Sequence, residues 1–336
     1  MKELLPLCLA SLLMGSLSAQ DIHFSQYFFA PQWLNPAEIG AAPAQYRATA
    51  NQRTQWREVS QPYTTFAAAV DGQFEKLPDG LALGAAIMND RAGDSRFNTF
   101  SLLIGSSYSY QFDEAGQHGL TGGLQTGLSQ VSIDYSSLRF DRQYDGVAFD
   151  PNLPTGENFA RNNRWHFNLS VGALYTYSHE EDKQIHVGWA SHNLHAPDRS
   201  FYNDVGVNLP LRHSFYATAT WRVHPVLDVL PAVHYMRQAT FSEMMIGGSL
   251  RYELIRERSM YRAIYAGYHG RIGDSGIGLV GLEVDDWRFG LSYDINLSTL
   301  EVASRNRGGF EFSLQYLFRR LHRAGAFQHQ YCPVFL

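Results

Sequence analysis

Apolar and polar residues alternate along most of this chain with a period of two. The clearest stretch lies near the end. Phe310, Phe312, Leu314, Tyr316 and Phe318 share one face, and Glu311, Ser313, Gln315 and Leu317 share the other. Successive side chains on a strand point to opposite faces, so this pattern predicts a strand with one apolar and one mostly polar side. The segment from Trp165 to Ser178 behaves in the same way. Trp165, Phe167, Leu169, Val171, Ala173, Tyr175 and Tyr177 alternate there with His166, Asn168, Ser170, Gly172, Leu174, Thr176 and Ser178.

Repeating this reading predicts fourteen strands: 46–56, 63–74, 81–89, 97–112, 119–133, 164–178, 184–192, 214–223, 227–237, 242–254, 261–268, 277–284, 287–296 and 310–318. An even number of antiparallel strands allows one sheet to close on itself with both chain ends on the same side. The connections sort into two sets when taken alternately. One set is short: 75–80, 113–117, 179–183, 224–226, 255–259 and Asp285–Asp286. The other includes the long members 91–96, 135–163, 193–212 and 297–309. Short turns at one end and long loops at the other mark an outer-membrane barrel, whereas a soluble sandwich has no reason to sort its loops. Trp56, Tyr63, Tyr110, Trp165, Tyr177, Trp221 and Trp287 fall near strand ends, where amphipathic rings meet lipid headgroups. The expected fold class is therefore all-β, a transmembrane antiparallel barrel of about fourteen strands.

Composition agrees with that reading. Of the 336 residues 18% are charged, and Tyr, Phe and Gly are plentiful. A mean hydropathy of -0.26 is too low for a helical membrane bundle, but alternation hides the apolar face of a barrel from such an average. The net charge of -5 and the absence of a long basic run in the body give no sign of a nucleic-acid partner.

Residues 1–19 have the form of a signal peptide. Lys2 precedes an apolar run from Leu4 to Leu17, and Ser18-Ala19 precedes Gln20. The run is too short to span a membrane. Loss of Cys8 with the signal would leave Cys332 alone, so no intramolecular disulfide is expected. Residues 20–45 are aromatic, alternate poorly and carry Pro31 and Pro36, which break a strand ladder. They are expected to pack in the lumen or across the periplasmic mouth. The barrel is assigned to 46–319, and a basic periplasmic tail to 320–336.

Candidate chemistry is sparse. Gly276, Gly278 and Gly281 spell a dinucleotide-like glycine pattern, yet it lies within an alternating segment and opens no helix. His192 and His195, with Asp198 and Asp204 nearby, could hold a metal, but a chain with thirteen histidines produces such a pair by chance. The run His179-Glu180-Glu181-Asp182 lacks the oxygen spacing of a calcium loop. No nucleophile motif of the GxSxG kind is present. No catalytic residue, cofactor or metal is assigned. The stronger candidates are surfaces. The 135–163 loop mixes Arg139, Arg142, Phe140, Tyr144, Phe149 and Phe159, residue types that dominate interface hot spots. The N-terminal rings Phe24, Tyr27 and Trp33 are candidates for partner binding too, although packing alone would explain them.

The opening QDIHFSQYFFAPQWLNPA (20–37) and the following YRATANQRTQW and YTTFAAAVDG resemble PorP/SprF-type membrane proteins of the type IX secretion system. The likeness returns in YDINLSTLEVASRNRGGFEFSLQYLF and in Cys332-Pro333, while the final CPVFL departs from the family's expected ending. The resemblance implies a non-enzymatic outer-membrane accessory for protein secretion or gliding motility. Its implied partners are a secreted surface protein with a type-B C-terminal sorting domain, which it would help export or anchor at the cell surface, and periplasmic secretion or motor components. Outer-membrane lipid surrounds such a barrel. A passive outer-membrane channel or hydrophobic-solute transporter is the alternative.

Overall fold

The computed structural model describes residues 22–55, 61–93, 95–113, 115–158, 161–179, 182–201, 207–257, 260–298 and 307–319. Residues 1–21, where the signal peptide is expected, the residues from 320 on, Trp56, Phe159, Asp204, the Glu180-Glu181 pair and both cysteines lie outside them. Fourteen strands run up and down: β1 (Tyr46–Gln55), β2 (Tyr63–Gly72), β3 (Leu81–Ala92), β4 (Phe97–Gln111), β5 (His118–Ser132), β6 (Asn163–His179), β7 (Lys183–His192), β8 (Arg212–His224), β9 (Leu227–Gln238), β10 (Phe241–Glu257), β11 (Met260–Arg271), β12 (Ser275–Val284), β13 (Trp287–Asn296) and β14 (Arg307–Phe318). Each strand pairs with its sequence neighbours, and β1 pairs with β14 to close the barrel. That seam is a full antiparallel ladder from Tyr46↔Phe318 to Gln55↔Gly309.

The wall is inside out relative to a soluble protein. On β14, Phe310 and Phe318 are about half exposed outward, while Glu311, Ser313 and Gln315 are buried toward the axis. The same alternation puts Trp165 and Phe167 outside and His166 and Ser170 inside on β6. Leu174 and Leu317, which fall on the polar faces in the alternation, are fully buried inward, and Leu174 packs against the N-terminal segment. Several strands run further than alternation predicts. β3 continues to Ala92, β10 to Glu257, β11 to Arg271, and β14 starts at Arg307. Ladder pairing continues beyond the apolar belt, where both faces are polar and the hydrophobic contrast vanishes. β9 carries Pro231 mid-strand. The ladder to β8 lacks rungs there, between Thr218↔Ala232 and Trp221↔Val229, as expected for a residue without an N–H donor. The glycine pattern of 276–281 lies inside β12.

Residues 22–45 occupy the lumen. They form two 3-10 turns (Tyr27–Phe29 and Pro36–Glu38) around one short α-helix (Pro31–Leu34), with Pro31 and Pro36 in the first turns where a missing N–H does no harm. The segment starts level with Arg53 and Arg212, at the long-loop ends of β1 and β8. It finishes at the short-turn end, where Gln45 leads into β1. Its rings Tyr27, Phe28 and Phe29 join Leu34, Leu174, Tyr216, Leu230, Met245, Tyr265 and Ile277 in the main apolar cluster.

Candidate functional site

The N-terminal plug is held by two buried polar locks. At the upper lock, near the long-loop end, Glu311 accepts from the backbone amides of Ser25 (2.8 Å) and Gln26 (2.9 Å). The Ser25 hydroxyl donates to Asp294 at 2.7 Å. Arg53 pairs with Asp294 at 2.9 Å and donates to the His23 carbonyl. Arg271 bridges Glu243 (3.3 Å) and Asp294 (3.5 Å), and His23 meets Glu243 at 3.2 Å. Such a network tolerates burial because each charge has opposite partners and hydrogen bonds.

The lower lock centres on Asp71. It accepts from Arg47 (2.9 Å) and from the Gly40 amide (2.7 Å). Arg47 also donates to the Glu38 carbonyl at 2.7 Å. The Tyr216 hydroxyl donates to the Glu38 carboxylate, and the Asn35 amide donates to Ala173 O (3.0 Å) and Tyr216 Oη (3.1 Å). Glu38 is fully buried and its second oxygen has no hydrogen-bond partner among the described residues. Burial pushes its carboxyl up to about 7, against the pull of the Tyr216 hydroxyl and Arg47 and with a further push from Asp71.

A glycine seat receives the plug between the locks. Gly123 on β5 and Gly172 on β6 are cross-strand partners. A Cβ on Gly172 would lie 1.8 Å from Asn35 Oδ1, and one on Gly123 would lie 2.3 Å from the Ala37 nitrogen. Asn35 also caps its own turn by accepting from the Ala37 amide at 2.8 Å. The Asn-Pro-Ala run is thus a tight corner set against a wall with no side chains. Two small cavities of about 60 and 30 Å³ lie beside Trp33 in the upper lumen. A third polar network lies on the lumenal wall nearer the short turns. There Asp228 joins Arg222 (2.9 Å) and Arg251 (2.6 Å), and Arg222 reaches Glu253 (2.8 Å).

The candidate residues separate into two groups. Phe24 and Tyr27 are buried in the lumen, and Trp33 is half-buried beside them. Arg139, Arg142 and Tyr144 stand exposed on the long loop between β5 and β6, with Phe140 and Phe149 half-buried. Phe159 lies outside the described residues. The loop has local order. The Arg139 guanidinium sits 4.9 Å from the Phe149 ring centre, Tyr144 bridges Phe149, and buried Gln143 donates to Leu153 O at 3.2 Å. His192 and His195 diverge. His192 is buried against Ser170 and Leu34 O, whereas His195 is exposed and packs on the outward Phe167 ring. No group of three or more metal-ligating side chains occurs among the described residues.

Sequence reasoning did not single out Arg47, Arg53, Asp71, Tyr216, Asp294 or Glu311. Their signal is a charge or phenol at an inward strand position, visible for Glu311 on the polar face of the closing strand. Their convergence needs the closed barrel, since Ser25 and Glu311 are 286 residues apart.

A closed barrel with an even number of strands, an apolar exterior and a polar filled interior is an outer-membrane protein. Residues 16–316 match the family described as type IX secretion system membrane protein PorP/SprF, and the chain belongs to that family. No curated protein sequence matches it. Among solved structures, the Ralstonia pickettii toluene transporter TbuX is 11% identical, with 86% of this chain and 94% of that one covered and a TM-score of 0.50. The CymD monoaromatic hydrocarbon channel is 10% identical over 91% of this chain and 95% of that one, with a TM-score of 0.48. The KdgM porin is 8% identical over 81% and 99%, with a TM-score of 0.37. Likeness at this identity concerns the fold alone.

Proposed function

We propose that this protein is a non-enzymatic accessory of type IX secretion that works by binding. It helps export, or anchors, a surface protein with a type-B C-terminal sorting domain. The observation that carries this reading is the contrast between a lumen filled by a hydrogen-bonded plug and a 133–162 loop that presents arginines and aromatics to solvent. A plugged barrel suits a rigid platform better than a conduit. Long loops of such barrels face outward, so the Arg142 and Tyr144 surface is the client side, and the short turns face periplasmic secretion or motor components.

The test is affinity purification from outer membranes in mild detergent, with and without deletion of 138–158. The intact protein should recover a large surface protein with a sorting domain, and the deletion should lose it while the barrel still inserts. Unchanged recovery would show the loop assignment to be wrong. A steady single-channel conductance from the reconstituted intact protein, together with no recovered partner, would favour the passive channel instead.

A further inference from the structure

At the long-loop rim of β2 and β3 the outer wall carries a basic recess of about 840 Å³. Arg91, Arg96 and Arg139 line it, with Gln61, Thr64 and Ser137 between them. Among the described residues, no carboxylate is part of its lining. Arg91 and Arg139 are exposed and have no carboxylate within ion-pair distance among the described residues. Arg96 holds Asp134 loosely, at 3.8 Å.

The depth of this recess identifies what it faces. Outward positions on β3 run Leu83, Ala85, Ile87, Asn89, Arg91 toward the long-loop end. The Asn89 rung is flanked by Phe66 on β2 and Phe100 on β4. Those rings mark the upper edge of the apolar belt, where amphipathic and aromatic side chains meet headgroups. The next outward rung joins Thr64, Arg91 and Asn98. Arg91 therefore projects from the lipid-facing wall one outward position above the aromatic edge, in the headgroup layer. Arg96 and Arg139 reach the same recess from the β3–β4 turn and the long loop.

We propose that this recess binds the phosphate of an outer-leaflet lipid headgroup. Guanidinium groups make two parallel hydrogen bonds to phosphate oxygens, and three of them around one recess neutralise a phosphorylated headgroup where water is depleted. The bound lipid would brace the root of the 133–162 loop through Arg139, which is removed from the client surface on this reading. The inference needs the membrane location of the barrel but not the accessory role.

The test uses the full mature protein in detergent, native mass spectrometry and monophosphorylated lipid A as probe. A one-to-one adduct should form, and the Arg91→Gln/Arg96→Gln/Arg139→Gln variant should bind about tenfold more weakly, the loss expected for about 1.4 kcal/mol. The same lipid after phosphatase treatment should bind as weakly to the unaltered protein, which needs no variant to fold. Equal binding of the dephosphorylated lipid, or unchanged binding by the triple variant, would overturn the proposal. Competition by inorganic phosphate at the same concentration as the lipid would also overturn it, by identifying a site for soluble anions.

Discussion

The lumenal plug and the 133–162 loop draw on the same residue types and use them in opposite ways. Both combine arginines with aromatic rings. In the lumen, Arg47 and Arg53 are almost completely buried, and each meets a carboxylate at 2.9 Å. On the loop, Arg139 and Arg142 are exposed, and Arg139 rests on the Phe149 ring. Buried charge is costly unless its partners are fixed, so the lumenal arginines hold the plug in one position. Exposed charge is screened and contributes little to stability, which leaves the loop arginines free to meet a partner or lipid. A residue type alone therefore does not say whether it locks or binds; its depth in the barrel does.

The sharpest way to break this contrast is to remove the lower lock. Asp71→Ala leaves Arg47 buried without its carboxylate and the Gly40 amide without its acceptor. A loss of about 3–5 kcal/mol is expected, read by urea unfolding in detergent micelles. A change below 1 kcal/mol would mean that the lock does not hold the plug.

Crowding the glycine seat should act next. Gly172→Val would place carbon where Asn35 sits. Overpacking of this kind costs about 1–3 kcal/mol. The plug should shift, so protease should cut within 22–45 and conductance should rise in planar bilayers. An intact, silent plug in this variant would contradict the seat.

Glu38 adds a pH dependence. Its carboxyl lies near 7 in the folded protein against an ordinary 4.5, so the folded state holds a proton that the unfolded chain releases. Stability from this group is full below about pH 4.5, falls as pH rises toward 7, and is flat above that. Glu38→Gln should remove this slope from an unfolding series across pH 4.5 to 8 while other slopes persist. A slope unchanged in the variant would assign it elsewhere.

The smallest stability effect belongs to the loop. Tyr144→Ala and Arg142→Ala should change unfolding by under about 0.5 kcal/mol, as exposed substitutions do. Under the proposed function they should nonetheless weaken client recovery. A loop variant that unfolds the barrel, or a lumen variant that spares it, would reverse the comparison.

The strands were legible from residue order alone. Trp287 to Asn296 reads as apolar and polar alternation and forms β13 with those ends. The sorting of short and long connections was legible for the same reason, since a closed sheet in a membrane puts a two-residue period on every strand. The opening from Gln20 to Ala37 carried much of the family resemblance, and its rings and prolines pointed to the lumen or the periplasmic mouth without choosing between them. Tertiary structure supplied that choice. Glu311 on the last strand receives the amides of Ser25 and Gln26 only because β14 closes onto β1. Gly123 and Gly172 seat the Asn35 corner only because the β5–β6 register sets them opposite each other. Local periodicity is a property of neighbours along the chain, so sequence alone determined the strands and their sidedness. The plug, its locks and the basic rim depend on register and closure between distant segments, and only the folded barrel decides them.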